Sequence, residues 1–297
     1  MSIVSILVSP RAEAFWRAID YYSHIFGSRI RKVLAQYFRR PALFYWYQAI
    51  CGTIVSGSTL ILILDQKTTV EPGDLDIYCP YEDADTMVGY LQDREEYCYC
   101  PIDKQPLNPY HAIAQKRQFK MNSGQYTNRV VSAVLNFVRT ETGIQRVQLV
   151  VTHTHPVIAM LKYHSTCVMN FFTSDCIYCL YPQATLVQHR SMICRKDSDD
   201  LCPLVEKYHA RGYDMLSSFA EGDNTFAPFR RRLVTDCWSW IIPFYPVAHF
   251  RPSHDRCIKR AAKEMRVALQ AIEWYFNPYL MGERRGRMSV VGLDKHV

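Results

Sequence analysis

The chain lacks a second close cysteine pair to match either Cys98-x-Cys100 or Cys176-x-x-Cys179, so the paired spacing of a structural zinc module is missing. His153-x-His155 adds two candidate ligands without completing a set of four. Long hydrophobic runs are missing too. The longest apolar region, Trp238 to Phe250, is broken by Pro243, Pro246 and His249 and is too short to span a bilayer. The opening MSIVSILVSP has no basic start and only a short apolar stretch, which does not fit a secretory leader. Internal repeats and low-complexity tracts are likewise absent. These absences argue against a zinc finger, a membrane-spanning protein and a repeat array. They lead us to expect an intracellular protein, cytoplasmic or nuclear, without membrane partners, whose eleven cysteines are reduced and mostly buried.

What is present fits a globular protein. Hydrophobic residues make up 48% and charged residues 21%, and twenty tyrosines, fourteen phenylalanines and five tryptophans supply core material. At 297 residues the chain suits one large domain or two small ones. The net charge of +7 is compatible with a polyanionic ligand but does not specify one. Residues 11–40 have helical spacing, with Phe15, Ile19, Tyr22 and Phe26 on one side, Gly27 as a candidate break, and Ile30, Val33, Leu34, Tyr37 and Phe38 beyond it. Arg29, Arg31, Lys32, Arg39 and Arg40 populate the other side. The ordinary reading is a solvated face, and a nucleic-acid contact is the sharper alternative.

The stretch Gly52 to Pro80 carries the most specific chemistry. Thr53 to Val55 read as a short buried strand, and Ser56-Gly57-Ser58 breaks it into a turn with a favoured helix-capping residue. Pro72-Gly73 marks the next turn, and a second strand then carries Asp74 and Asp76. Side chains at i and i+2 of a strand share a face, about 6.5–7 Å apart. Two carboxylates there repel one another and lose solvation beside an apolar sheet, a conflict that a shared divalent cation resolves. An all-oxygen site suits Mg²⁺ or Mn²⁺. A helix starting at Ser58 would aim its unpaired N–H groups at the same mouth, where they suit phosphate oxygens. Asp-x-Asp alone is common and is usually a solvated turn or strand edge; the turn upstream makes the combination rarer.

The GS turn followed by Asp-hydrophobic-Asp-hydrophobic resembles the nucleotidyltransferase superfamily, whose members share a DNA polymerase beta-like core. The phrases SGST…DLDIY and KYHSTCVMNFF…YCLYP are similar to those of fungal nucleotidyltransferase-like proteins, over roughly Phe44 to Pro182. The resemblance implies an α/β (α+β) fold, with a small mixed sheet of nucleotidyltransferase type, flanking helices and a helical C-terminal appendage. It assigns triphosphate binding to Gly57 and Ser58, and Mg²⁺ and catalysis to Asp74 and Asp76, with a two-ion site conceivable. It implies Mg²⁺-dependent transfer of a nucleoside monophosphate from a nucleoside triphosphate to an acceptor: protein side chain, RNA end or small molecule.

Three departures stand beside this resemblance. The spacer between Ser58 and Asp74 is long, at 15 residues. Thr59 to Leu64 reads as a buried strand by periodicity, whereas the resemblance makes it a helix. Above all, the family takes a third carboxylate from a neighbouring strand, and the best candidate strand, Arg146 to Thr152, offers Gln148. A neutral amide is no general base. Asp175 is the nearest substitute. The alternative is therefore a catalytically degenerate fold that binds nucleotide or a protein partner.

The organisation expected is an N-terminal helical segment over 1–41, a core over 42–182, and a helical region over 183–297. Within these, Ala42 to Ile50 reads as a helix, and so does Glu82 to Tyr97, with acids in its first turn. Cys98 to Asn128 reads as a long loop bringing Lys116, Arg117 and Lys120 towards a triphosphate. Val130 to Arg139 and Arg146 to Thr152 read as a hairpin. A helix from Pro156 to about Phe172 would hold His164, Ser165 and Asn170 in core hydrogen bonds, and Cys176 to Tyr181 a short strand. Beyond Pro182, helices are expected over Leu204 to Tyr213, capped by Ser198 to Asp200, and over Asp255 to Phe276, with Ile258, Ala262, Met265, Leu269 and Ile272 as a packing stripe. Ala220 to Arg232 reads as a loop, and the tail after Pro278, with Arg284, Arg285 and Arg287, as mobile.

Overall fold

The computed structural model describes residues 10–65, 73–102, 104–119, 130–141, 143–194, 201–218, 224–226, 231–244, 252–277 and 287–291. Helices α1 (Pro10–Tyr37) and α2 (Pro41–Ile50) lead into β1 (Ile54–Ser56), α3 (Ser58–Leu64) and β2 (Asp74–Pro80). After β2 come α4 (Ala84–Gly89), β3 (Cys98–Cys100), α5 (Pro109–Phe119), the hairpin β4 (Val131–Arg139) and β5 (Gln145–Thr152), and α6 (Pro156–Met160). Then follow β6 (Asn170–Phe172), β7 (Cys176–Cys179), β8 (Arg190–Met192), α7 (Leu201–Ala210), β9 (Asp214–Leu216), β10 (Arg232–Leu233) and β11 (Trp240–Pro243). Last are α8 (Pro252–Gln270), β12 (Glu273–Asn277) and β13 (Arg287–Val291).

Eight strands form one mixed sheet in the order β11-β7-β6-β1-β2-β5-β4-β3. Among the pairings of this sheet only β2 with β5 is parallel, so their connection is a long crossover that carries α4, β3, α5 and β4. Alternation along the central strands sorts two cores. Leu75, Ile77 and Cys79 of β2 and Val147, Leu149 and Val151 of β5 pack with Phe26, Ile30 and Leu34 of α1 and with Met87 and Val88 of α4. Ile54, Tyr78 and Val150 face the other way, onto Val157 to Leu161, Leu269 and Trp274. Apolar layers thus cover both faces of the central strands.

The mixed α/β class expected from sequence is present, as are the helix over residues 41–50, the hairpin and the short strand at Cys176. Other expectations are corrected. Gly27 does not interrupt α1. Glu82 to Tyr97 is not one helix: a 3-10 turn, α4 and a π turn succeed each other, and the chain then bends so that Glu95 is buried against Arg139. Cys98 to Asn128 is not merely a loop, because β3 and α5 lie within it. The helix from Pro156 ends at Met160, and the chain returns to the sheet at Asn170. His164, Ser165 and Asn170 are buried, and Asn170 Nδ2 donates to the Cys167 carbonyl at 2.7 Å.

The region 183–297 is not a helical appendage. It adds β11 to the edge of the main sheet, places β12 and β13 in a three-stranded sheet with β10, and ends α8 at Gln270. Ile258, Ala262, Leu269 and Ile272 are buried as a packing stripe, with Met265 against it. Arg232 is not a loop cation either. It is buried, bonds Asp236 and lies over the rings of Tyr181 and Trp274. Residues 287–291 of the tail form β13. Ser198 to Asp200, Lys120, Arg284 and Arg285 lie outside the described residues, as do the side chains of Phe15, Ile19, Lys116, Arg117 and Arg287. Among the described residues no helix is long and apolar enough to cross a membrane.

Candidate functional site

Antiparallel pairing of β1 with β2 sets Ser56 opposite Asp76. The chain leaves β1 through Gly57, whose φ of +83° favours glycine. A Cβ at Gly57 would fall 1.9 Å from Asp76 Oδ2. The missing side chain is thus the space in which the Asp76 carboxylate lies against the turn. Ser58 then begins α3, which is a helix as the resemblance implied and not the strand that periodicity favoured. Gly57 offers no capping side chain to its first turn. Thr59 Oγ1 donates to the Asp74 carbonyl at 3.2 Å, and Tyr37 donates its hydroxyl to the Gly73 carbonyl at 3.1 Å. The start of β2 is therefore held from both α3 and α1.

Asp74 is exposed and Asp76 half-buried, while Leu75 and Ile77 between and after them point into the core. Burial, reinforced by the neighbouring Asp74 charge, pushes the Asp76 carboxyl up to about 7, and Lys207 on α7 opposes the rise. Tyr163 and Tyr208 complete the surroundings. Burial first, then Tyr78 and Asp76, holds the Tyr163 hydroxyl well above its usual range, and the Tyr78 and Tyr163 rings meet edge to face at 5.9 Å. Tyr208 is buried and also feels Asp76. Sequence reading missed Lys207, Tyr163 and Tyr208, because no local pattern links them to Asp76; α7 reaches the site only through the tertiary fold.

Gln148 lies where the hairpin was expected to deliver it, paired in register with Asp76 across the parallel β2–β5 ladder. Its Nε2 donates to Asn136 Oδ1 on β4 at 3.1 Å, which leaves the carbonyl Oε1 as the atom able to meet a cation. Register continues this row to Cys100 on β3, so Ser56, Asp76, Gln148, Asn136 and Cys100 cross five strands on one face. The neighbouring row runs Asp74, Arg146, Val138 and Cys98.

Several candidates are not brought to this place. Asp175 lies beyond Phe172 in the β6–β7 turn, past the start of β1 and away from Gly57, and it is paired with Arg266. It does not replace the third carboxylate. His155 caps α6 by accepting from the Val157 N–H at 3.3 Å, and burial lowers its imidazole to about 4. His153 stacks on Tyr81. No disulfide forms, and five cysteines are buried while five are exposed, so the expectation of mostly buried thiols holds for only half of them. Among the described residues no group of three or more His, Cys, Asp or Glu could hold a metal ion. Arg29 of α1 donates to the Ile63 carbonyl at 3.1 Å, and Arg39, just beyond the end of α1, pairs with Glu96 and Glu141, so both serve the fold. No protein-family model, curated protein or solved structure matches the chain.

Proposed function

We propose that the chain is a nucleotidyltransferase-like protein that binds a Mg²⁺–nucleoside triphosphate at the Gly57 turn and transfers the nucleoside monophosphate to an acceptor hydroxyl. The observation that carries this reading is the Asp76 carboxylate seated in the space left by the Gly57 side chain, with Asp74 on the same face. The residues fit a magnesium ion. Asp76 is a half-buried carboxylate beside a second one, opposed by the exposed amine of Lys207, and a divalent cation relieves both the desolvation and the repulsion. Two protein carboxylates suffice where phosphate oxygens and water fill the remaining positions of an octahedral ion.

In this reading Asp74 and Asp76 hold the cation, and the backbone of Gly57 and Ser58 receives the outer phosphates. The bound ion supplies charge neutralisation of the triphosphate and a lowered pKa at the acceptor hydroxyl. The acceptor oxygen forms a bond to the α phosphorus, the α–β bridging bond breaks, pyrophosphate leaves with the electron pair, and the hydroxyl proton passes to water. Gln148 contributes position and a carbonyl oxygen rather than basicity.

A second reading is favoured by one observation: the amide pair of Gln148 and Asn136 occupies the row where the resembling family places its third carboxylate. It makes the protein a nucleotide-binding module that has lost turnover. Mg²⁺ titrations with ATP, GTP, CTP and UTP test both readings, since each requires Mg²⁺-dependent binding that an Asp74→Ala, Asp76→Ala double variant loses. Gln148→Asp separates them: a gain in pyrophosphate release supports the second reading, and a loss supports the first.

A further inference from the structure

A cleft of about 350 Å³ opens beside Asp74, between strands β4 and β5 and the segment that follows β3. Its lining follows from register. Asp74 and Arg146 are partners across the β2–β5 ladder, and Asn136 comes from the next row on β4. Pro101 and Ile102 supply an apolar wall on the side of the sheet edge. The volume lies at the low end for small-molecule sites, so it suits a compact molecule rather than a length of polymer.

Arg146 is the unusual member. It is exposed, and although adjacent parallel strands run only about 4.8 Å apart, its guanidinium closes on neither Asp74 nor any other carboxylate among the described residues. Elsewhere among the described residues, Arg29 bonds a carbonyl, and Arg39 and Arg139 pair with glutamates. A planar fork of donors over a cleft is suited to a phosphate or carboxylate. The amide of Asn136 beside it suits hydroxyl groups, and the Pro101–Ile102 wall suits a carbon skeleton.

We propose that this cleft is the acceptor subsite and takes a small hydroxylated monophosphate, with the phosphate on Arg146 and the hydroxyls on Asn136. The acceptor role rests on the nucleotidyl-transfer reading; the anion site does not. Register sets Arg146 directly opposite Asp74 on the next strand, so an anion held by Arg146 brings a neighbouring hydroxyl towards the carboxylate pair. The same closeness sets a coupling: the Asp74 charge opposes the anion until a cation neutralises it, so Mg²⁺ and the monophosphate strengthen each other's binding.

Titration calorimetry with ribose 5-phosphate as the probe tests the proposal. The natural sequence should bind it, several-fold more tightly with Mg²⁺ than without. Asp74→Asn should bind it without Mg²⁺ as tightly as the natural sequence does with it. Arg146→Gln should weaken binding at least ten-fold, and Arg146→Lys by less, a graded loss that misfolding would not produce. Unchanged binding in Arg146→Gln overturns the site, as does undetectable binding in the natural sequence. Equal affinity for inorganic phosphate overturns the assignment of hydroxyl recognition, and Arg146-dependent binding of an RNA end in place of ribose 5-phosphate overturns the small-molecule class. If nucleoside triphosphates fail to bind with Mg²⁺ while ribose 5-phosphate binds through Arg146, the nucleotidyl-transfer reading falls and the anion cleft stands.

Discussion

At the scale of single residues, Gly57 and Asp76 are mutually dependent. Ala at position 57 meets both a positive φ and the Asp76 carboxylate at 1.9 Å. Gly57→Ala should therefore destabilise the protein by roughly 2–3 kcal/mol in urea titration and displace the carboxylate from the turn. Asp76 has the opposite signature. Its folded value of about 7 lies above the ordinary 3.8, so between those pH values the folded chain keeps a proton that the unfolded chain has released. Stability then falls as pH rises through that window and stays lower above it. Without metal, Asp76→Asn should exceed the natural sequence by roughly 2–4 kcal/mol near pH 8 and show no gain near pH 4. Denaturant titrations across that range check the sign. Both residues were legible in the sequence, because a GS turn and an i, i+2 acid pair are local patterns. Lys207, Tyr163 and Tyr208 were not, since they meet Asp76 only through the packing of distant elements.

At the scale of elements, legibility tracked how much of a segment water can reach. In the hairpin, β4 from Ala133 onward and β5 as far as Leu149 alternate between buried and more exposed positions, and the hairpin was read correctly. In α3, by contrast, Thr59, Leu60, Ile61, Ile63 and Leu64 are all buried, which erases the periodicity that separates helix from strand. The stretch after α4 was misread as continuing helix for a different reason. Glu95 there is fully buried, and its carboxylate accepts from the Arg39 backbone N–H at 2.6 Å, from the Tyr90 hydroxyl at 2.9 Å and from Arg139 at 3.3 Å. Arg139 also donates to the Tyr37 carbonyl at 2.9 Å, so one buried ion pair joins the end of α1, the bend before β3 and the end of β4. Removing the cation strands a buried carboxylate. Arg139→Met should cost about 3–5 kcal/mol in equilibrium unfolding, whereas replacing the exposed Arg146 by Met should change stability by less than about 0.5 kcal/mol.

At the scale of the whole molecule, the sheet is built from both ends of the sequence. α1 packs against the central strands, β11 extends the opposite edge from beyond residue 182, and α7 carries Lys207 to Asp76. The three-part division expected from sequence missed this because β11 is four residues long and Trp240 and Ile241 on it are exposed, leaving no alternation to detect. The candidate site therefore depends on three regions: the turn and acid pair of the core, the tyrosine hydroxyl from α1 at Gly73, and the lysine of α7. Such a site is tested with the full chain. The most direct measurement is calorimetric titration of the four nucleoside triphosphates with and without Mg²⁺, in the natural sequence and in the Asp74→Ala, Asp76→Ala variant. The account predicts binding that requires Mg²⁺ and is lost in the variant while its folded spectrum is kept. Binding that ignores Mg²⁺ or survives in the variant, or no binding of any of the four, would contradict it.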